Sequence, residues 1–181
     1  IHRSSRYSPG FSADWVEKVL QDTTLTDELK VLDPFCGSGT TLLAAAAHGA
    51  HATGFEAHPF IARIARAKTQ IIENIEEFEK HANDISKLAE ACVSEFSTTK
   101  SSLLLKCYTM ENLVRLEALR EAFEKIETKN HAVIDLLWLT ITSILRECSG
   151  AGTAQWQYVL PNKSKSRVTD PFIAFRNKVN I

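Results

Sequence analysis

The sequence predicts an α/β chain: one strand–loop–helix–strand unit near the N-terminal end, followed by a long helical stretch. Three observations predict it. Residues 30–33 and 52–56 are short apolar runs that each end in a carboxylate, and a glycine-containing loop and an alanine-rich run lie between them. No glycine occurs between Gly54 and Gly150 and no proline between Pro59 and Pro161. Sheets want those residues at their turns, so the unpunctuated stretch reads as helix. Within it, apolar residues recur at intervals of three and four, the spacing of one helix face.

Taken in order, residues 12–21 read as a first helix. Ser12 can cap it, Asp14 suits its positive end, and Trp15, Val16, Val19 and Leu20 share one face. Residues 30–33 are a short buried strand ending in Asp33, and residues 35–41 a tight loop. Residues 42–48 are an alanine-rich helix, with Gly49 placed where a helix-ending glycine belongs. Residues 52–56 are the second strand, ending in Glu56. Pro59 suits a first helical position, and the stripe Ile61, Ile64, Ala65, Ile71, Ile72, Ile75, Phe78 predicts helix running on toward Phe96. After a loop at 97–102, Leu113, Leu116, Leu119, Phe123 and Ile126 mark another helix, and Ile134, Leu137, Trp138, Ile141, Ile144, Leu145 and Cys148 a further one. Beyond Gly150 the chain reads as polar and irregular, with a strand at 156–160. The predicted organisation is residues 1–58 as the ligand-binding unit, 59–149 as a helical insertion and 150–181 as a tail. Two parallel strands do not make a stable sheet, because such sheets are buried on both faces and usually have several members. The sheet is therefore expected to be incomplete in this chain.

At 181 residues the chain is long enough for roughly one domain. Hydrophobic residues make up 44% and charged residues 24%, which excludes disordered and collagen-like classes. No apolar run approaches the ~20 residues of a membrane span. With 21 Lys and Arg against 22 Asp and Glu, the net charge of −1 offers no global basic field. Contact with nucleic acid would have to come from a local patch. The four cysteines contain no Cys-x-x-Cys pair and the histidines no metal spacing, so neither a metal site nor a disulfide scaffold is expected, and a reducing, cytoplasmic setting is. The absence of an initial methionine reads as a fragment.

The chemistry is concentrated in the first unit. After Asp33 come Gly37 and Gly39, which permit a tight turn and close backbone approach of a ligand, and then a helix start offering free N–H groups. In this topology an acid at the end of the second strand, here Glu56, can accept hydrogen bonds from both hydroxyls of an adenosine ribose. The pair of acids points to an adenosine-bearing cofactor. Leu42 stands where a dinucleotide fingerprint has its third glycine, no lysine follows the loop as a phosphate-binding P-loop requires, and Asp33 suits a cationic amino acid moiety better than a pyrophosphate. These details favour S-adenosylmethionine.

At this point the sequence Val31-Leu-Asp-Pro-Phe-Cys-Gly-Ser-Gly-Thr-Thr41 resembles the cofactor motif of the amino-group DNA methyltransferases, which methylate adenine N6 or cytosine N4. Gly54-Phe-Glu-Ala-His-Pro59 resembles their second cofactor motif, Tyr7-Ser-Pro-Gly-Phe11 the motif that precedes the loop, and Ile144-Leu-Arg-Glu-Cys-Ser149 part of a helical insertion in one subgroup. The resemblance implies a Rossmann-like methyltransferase fold with S-adenosylmethionine as cofactor. It implies that Asp33 faces the methionine part, Gly37 and Gly39 line the backbone pocket, Thr40 and Thr41 bind the carboxylate and Glu56 holds the ribose. Phe35 would be a wall, and Ala57 a backbone contact near the adenine.

The same family flips its target base into an Asp/Asn/Ser-Pro-Pro-aromatic loop. The prolines here are Pro9, Pro34, Pro59, Pro161 and Pro171, no two adjacent, so this chain is assigned no catalytic residue. Asp170-Pro-Phe172, the nearest imitation, reads as a surface turn. No cysteine follows a proline as cytosine C5 methylation requires, and Cys36 reads as a small space-filler. All six histidines read as surface residues, and Lys163, Lys165 and Arg167 as a solvated basic loop. The expectation is the cofactor-binding part of a DNA methyltransferase serving restriction–modification. The catalytic half is expected in the same or another chain, DNA is bound through the complete enzyme, and the isolated chain is inactive. An RNA methyltransferase fragment and a non-catalytic partner-binding subunit are the alternatives.

Overall fold

The computed structural model describes residues 12–23, 29–70, 74–93, 101–152 and 165–180. Residues 7–11, Ile71, Ile72, Lys163 and the strand expected at 156–160 lie outside them. The described chain is helix-rich α/β with one two-stranded parallel sheet. It divides into two compact units, residues 1–73 and 74–181.

In the first unit, α1 (Ala13–Gln21) starts where Ser12 accepts a hydrogen bond from Trp15 N at 3.1 Å. Strand β1 (Lys30–Asp33) pairs in parallel with β2 (His51–Gly54), Val31 opposite Ala52 and Asp33 opposite Gly54. Between them runs α2 (Thr40–Ala47), whose end is closed by Gly49 at φ 73°. There Gly49 N and Ala50 N donate back to Ala46 O and Ala45 O. Val16 and Leu20 of α1 and Ala44 and Ala45 of α2 form the core, with Leu29, Val31, Ala50 and Ala52 packed against it. Of the predicted α1 face only Val16 and Leu20 are buried, while Trp15 and Val19 are about half exposed. Helix α3 (Pro59–Thr69), with proline at its start as expected, packs on α2. The helical segment expected from residue 59 thus begins inside the first compact unit.

The predicted continuous helix from Phe60 to Phe96 is broken instead. Gln70 ends α3 with extended backbone, and Asn74 opens a new helix, α4 (Ile75–Cys92), by accepting from Glu77 N at 3.2 Å. An asparagine side chain competes with the helical backbone for its donors, so it caps more readily than it continues. Each helix buries a face, α3 through Ile64 and Ala65 and α4 through Phe78, whereas Ile75, counted in the same stripe, is exposed.

The second unit holds α4, α5 (Ser102–Cys107), α6 (Met110–Glu124), α7 (His131–Ile144) and α8 (Pro171–Val179). Alanines at 82, 89, 118 and 122 are all buried, letting α4 and α6 approach closely. Two helices were not expected. Short α5 has no buried residue. In α8, the Asp170-Pro-Phe172 sequence is a helix start, not a surface turn: Asp170 accepts from Phe172 N and Ile173 N, and Pro171 takes the first turn. Arg115 of α6 pairs with Asp170 and lies 5.7 Å from the Phe172 ring centroid. Lys165 is not a solvated cation either, since its ammonium donates to the carbonyls of Arg146 and Ser149 at the end of α7. Of the described histidines, His51, His58 and His131 are exposed as expected, whereas His48 and His81 are half-buried.

Glu77 ties α4 to the start of α7, accepting from Thr128 Oγ1 at 2.7 Å and Asn130 Nδ2 at 2.9 Å, with His81 Nε2 3.9 Å away. These hydrogen bonds, led by that of Thr128, hold its carboxyl below the usual range, helped by the charges of His81 and Lys80. A carboxyl lowered on folding stabilises the fold above its unfolded value of about 4.3 and ceases to do so as pH falls through the lower folded value. Thermal melts of Glu77→Gln are therefore expected to fall less steeply than wild type as pH drops below 5. Parallel curves would remove Glu77 from the acid limb.

Candidate functional site

Parallel pairing carries the C-terminal ends of both strands to the same side of the first unit; β1 ends in Asp33 as expected, whereas β2 stops at Gly54, two residues before Glu56. The ladder runs past the strand ends: Phe55 N donates to Asp33 O and Cys36 N donates to Phe55 O, each at 2.9 Å. Phe55 thereby fastens both the end of β1 and the turn after it, and Glu56 is the next residue along. Asp33 and Glu56 line one cavity of about 940 Å3, within the roughly 300–1,000 Å3 of small-molecule sites.

Each carboxylate is held by its own turn. Asp33 Oδ1 accepts from Phe35 N at 3.1 Å and Glu56 Oε1 from His58 N at 2.8 Å. The other oxygen of each has no hydrogen-bond partner among the described residues. Between them the loop turns through Gly37 at φ 51° and Gly39 at φ 85°, left-handed conformations that favour glycine. Gly39 also begins α2, and no side chain caps that helix, so its first-turn N–H groups are available to an acceptor.

Of the loop and acid residues singled out in the sequence, Asp33, Phe35, Cys36, Gly37, Thr40, Thr41 and Glu56 line the cavity. Phe35 is 87% exposed, at its edge. Gly39 and Ala57 are not in the lining. Gly39 instead seats α3, since a Cβ there would stand 3.2 Å from Ala65 Cβ and 3.3 Å from Ala65 Cα. Ala57 is exposed in the turn before α3. Sequence reasoning missed the wall formed by Trp15, Val16, Val19 and Leu20 of α1. The signal was present as an apolar face wider than the core needs, with Trp15 and Val19 to spare. It also passed over Ser38, buried between the two glycines.

Cys36 is buried in the loop, and burial first, then the charges of Asp33 and Glu56, push its thiol above the ordinary value. Its burial in the turn beside Gly54 is the setting of a small space-filling residue. No cluster of His, Cys, Asp and Glu able to hold a metal occurs among the described residues. No helix among them is long and apolar enough to cross a membrane.

Residues 3–67, which contain both strands, the loop and the acids, match the family described as DNA methylase. Over 96 residues, 52% of this chain, the sequence is 31% identical to the Type II methyltransferase M.BsoBI of Geobacillus stearothermophilus. The match spans 19% of that relative's length. No solved structure matches the chain. The stretch that builds the cavity is thus similar to the amino-group DNA methyltransferases, the family that its loop sequence resembles.

Proposed function

We propose that this chain is the S-adenosylmethionine-binding part of a Rossmann-like DNA methyltransferase that acts on an exocyclic amino group of adenine or cytosine, in restriction–modification. The observation that carries the reading is the presence of Asp33 and Glu56 on one cavity beside an uncapped helix start. The donor set fits that cofactor. Asp33 would meet the cationic amino group of its methionine part. Thr40, Thr41 and the first N–H groups of α2 would donate to its carboxylate, and Glu56 would accept from the ribose hydroxyls. Gly37 would let the backbone approach, Phe35 and the α1 face would wall the apolar part, and Ala57 would offer a backbone contact near the adenine. When bound, the group supplies a methyl carried on a sulfonium.

Transfer to an amine also needs acceptors that take its developing positive charge. This chain holds no Pro-Pro-aromatic loop to provide them, so we assign it no catalytic residue. Its partners on this reading are the catalytic half, in the same or another polypeptide, and DNA engaged by the complete cytoplasmic enzyme. Isothermal titration tests the reading. One S-adenosylmethionine is expected to bind per chain while a nicotinamide dinucleotide gives no heat, and the chain alone is expected to transfer no methyl group to DNA. A folded chain that takes up no S-adenosylmethionine would overturn the assignment.

A further inference from the structure

Gly54, at the end of β2, meets Cys36, in the turn that follows β1. Glycine at 54 is not required by the backbone, for β2 is ordinary strand there and the positive-φ glycines among the described residues are Gly37, Gly39 and Gly49. It is required by space. A Cβ on residue 54 would stand 2.8 Å from Cys36 Cβ, 2.8 Å from Cys36 Sγ and 2.9 Å from Leu42 Cδ1, nearer than real Cβ atoms come. The tip of Leu42 can swing away, but Cys36 Cβ moves only with its backbone. That backbone is the turn itself: Cys36 N donates to Phe55 O at 2.9 Å and Cys36 O accepts from Gly39 N at 2.8 Å. Asp33 precedes this turn, and Glu56 follows Phe55.

We propose that Gly54 is a positioning residue that sets the separation of the Asp33 and Glu56 carboxylates, through the close seating of Cys36 against its bare Cα. The inference rests on the cofactor reading above. Ordinary van der Waals contact begins at 3.4 Å, so a methyl group at 54 opens the gap between β2 and the turn by the difference between 2.8 and 3.4 Å. Two groups gripping opposite ends of one ligand tolerate only about 0.5 Å of misplacement. An added methyl group outside the lining therefore acts on ligand affinity through both acids at once.

The test is calorimetric titration of S-adenosylmethionine into the full chain, with thermal melts alongside. Gly54→Ala is expected to bind about tenfold or more weakly. Adding Cys36→Gly removes the two Cys36 atoms, leaving only the movable tip of Leu42, and is expected to recover most of that loss, the non-additivity that a double-mutant cycle reads. Ala44→Gly, which weakens the buried middle of α2 away from the seat, is expected to melt lower yet bind like wild type. Should Gly54→Ala not fold, recovery of both the fold and binding by the Gly54→Ala, Cys36→Gly double variant, set against Cys36→Gly alone, reads the same contact. A folded Gly54→Ala that binds like wild type overturns the inference, and so does a double variant that stays weak. A wild-type chain that binds nothing overturns the cofactor reading itself, and this inference with it.

Discussion

Asp33→Ala is expected to weaken S-adenosylmethionine binding about a hundredfold, equivalent to about 2.7 kcal/mol. The size follows from charge. An ammonium group brought into a cavity gives up water, and a carboxylate within hydrogen-bonding reach restores that loss by a charge-assisted bond, stronger than a neutral one. Removing the carboxylate leaves the cation desolvated and unpaired, a cost of about 2–5 kcal/mol for a buried pair, and half-buried Asp33 lies toward the lower end of that range. Alanine also deletes the acceptor for Phe35 N, so the loss mixes charge with turn geometry. Asp33→Asn separates the two, because its side-chain oxygen can still accept from Phe35 N while the charge is gone. If charge dominates, Asn and Ala variants weaken binding alike; if the turn dominates, Asn binds nearly as wild type. Glu56→Gln meets neutral hydroxyls on the proposed reading, and a neutral hydrogen bond is worth about 0.5–1.5 kcal/mol. Its titration is expected to show a smaller loss than that of Asp33→Asn, and the reverse order would reverse the proposed orientation of the ligand.

That ordering depends on residues legible in the sequence for a physical reason. Asp33, Gly37, Thr40, Thr41 and Glu56 lie within one strand–loop–helix–strand unit, where local rules alone decide the geometry. Parallel pairing brings the strand ends together, and the glycines admit the left-handed turns. The α1 wall was not legible as part of the site, because nothing local says what a helix preceding the first strand will cover. Gly39 was legible as a glycine the loop needs, but its packing on Ala65 was not, since that neighbour is far along the chain. The helical unit shows the same division. Periodicity located α6 and α7 but carried one stripe across the break at Asn74, and the polar composition around α8 concealed a helix whose buried residues are few.

The weight of α8 in the fold rests on Phe175. Its side chain is fully buried, and α8 packs on α4, α6 and α7, so one short helix closes the second unit from three sides. Two ties hold it in place from the polar side. Asp170 caps it and pairs with Arg115, while Asn112 of α6 donates to Cys148 O at 2.9 Å and to Thr169 O at 3.3 Å just ahead of the cap. Phe175→Ala removes an aromatic ring from a closed interior and leaves a cavity its neighbours fill only in part, a loss of about 3–5 kcal/mol. In a chain of this size that is a fall of roughly 10 °C in melting temperature. Asp170→Ala removes a cap worth about 1 kcal/mol, and Arg115 keeps its second partner, Glu111, at 2.8 Å. Calorimetric melts are therefore expected to rank Phe175→Ala well below Asp170→Ala, with both below wild type. A melt of Phe175→Ala indistinguishable from wild type would mean that α8 is an attached segment and not part of the core.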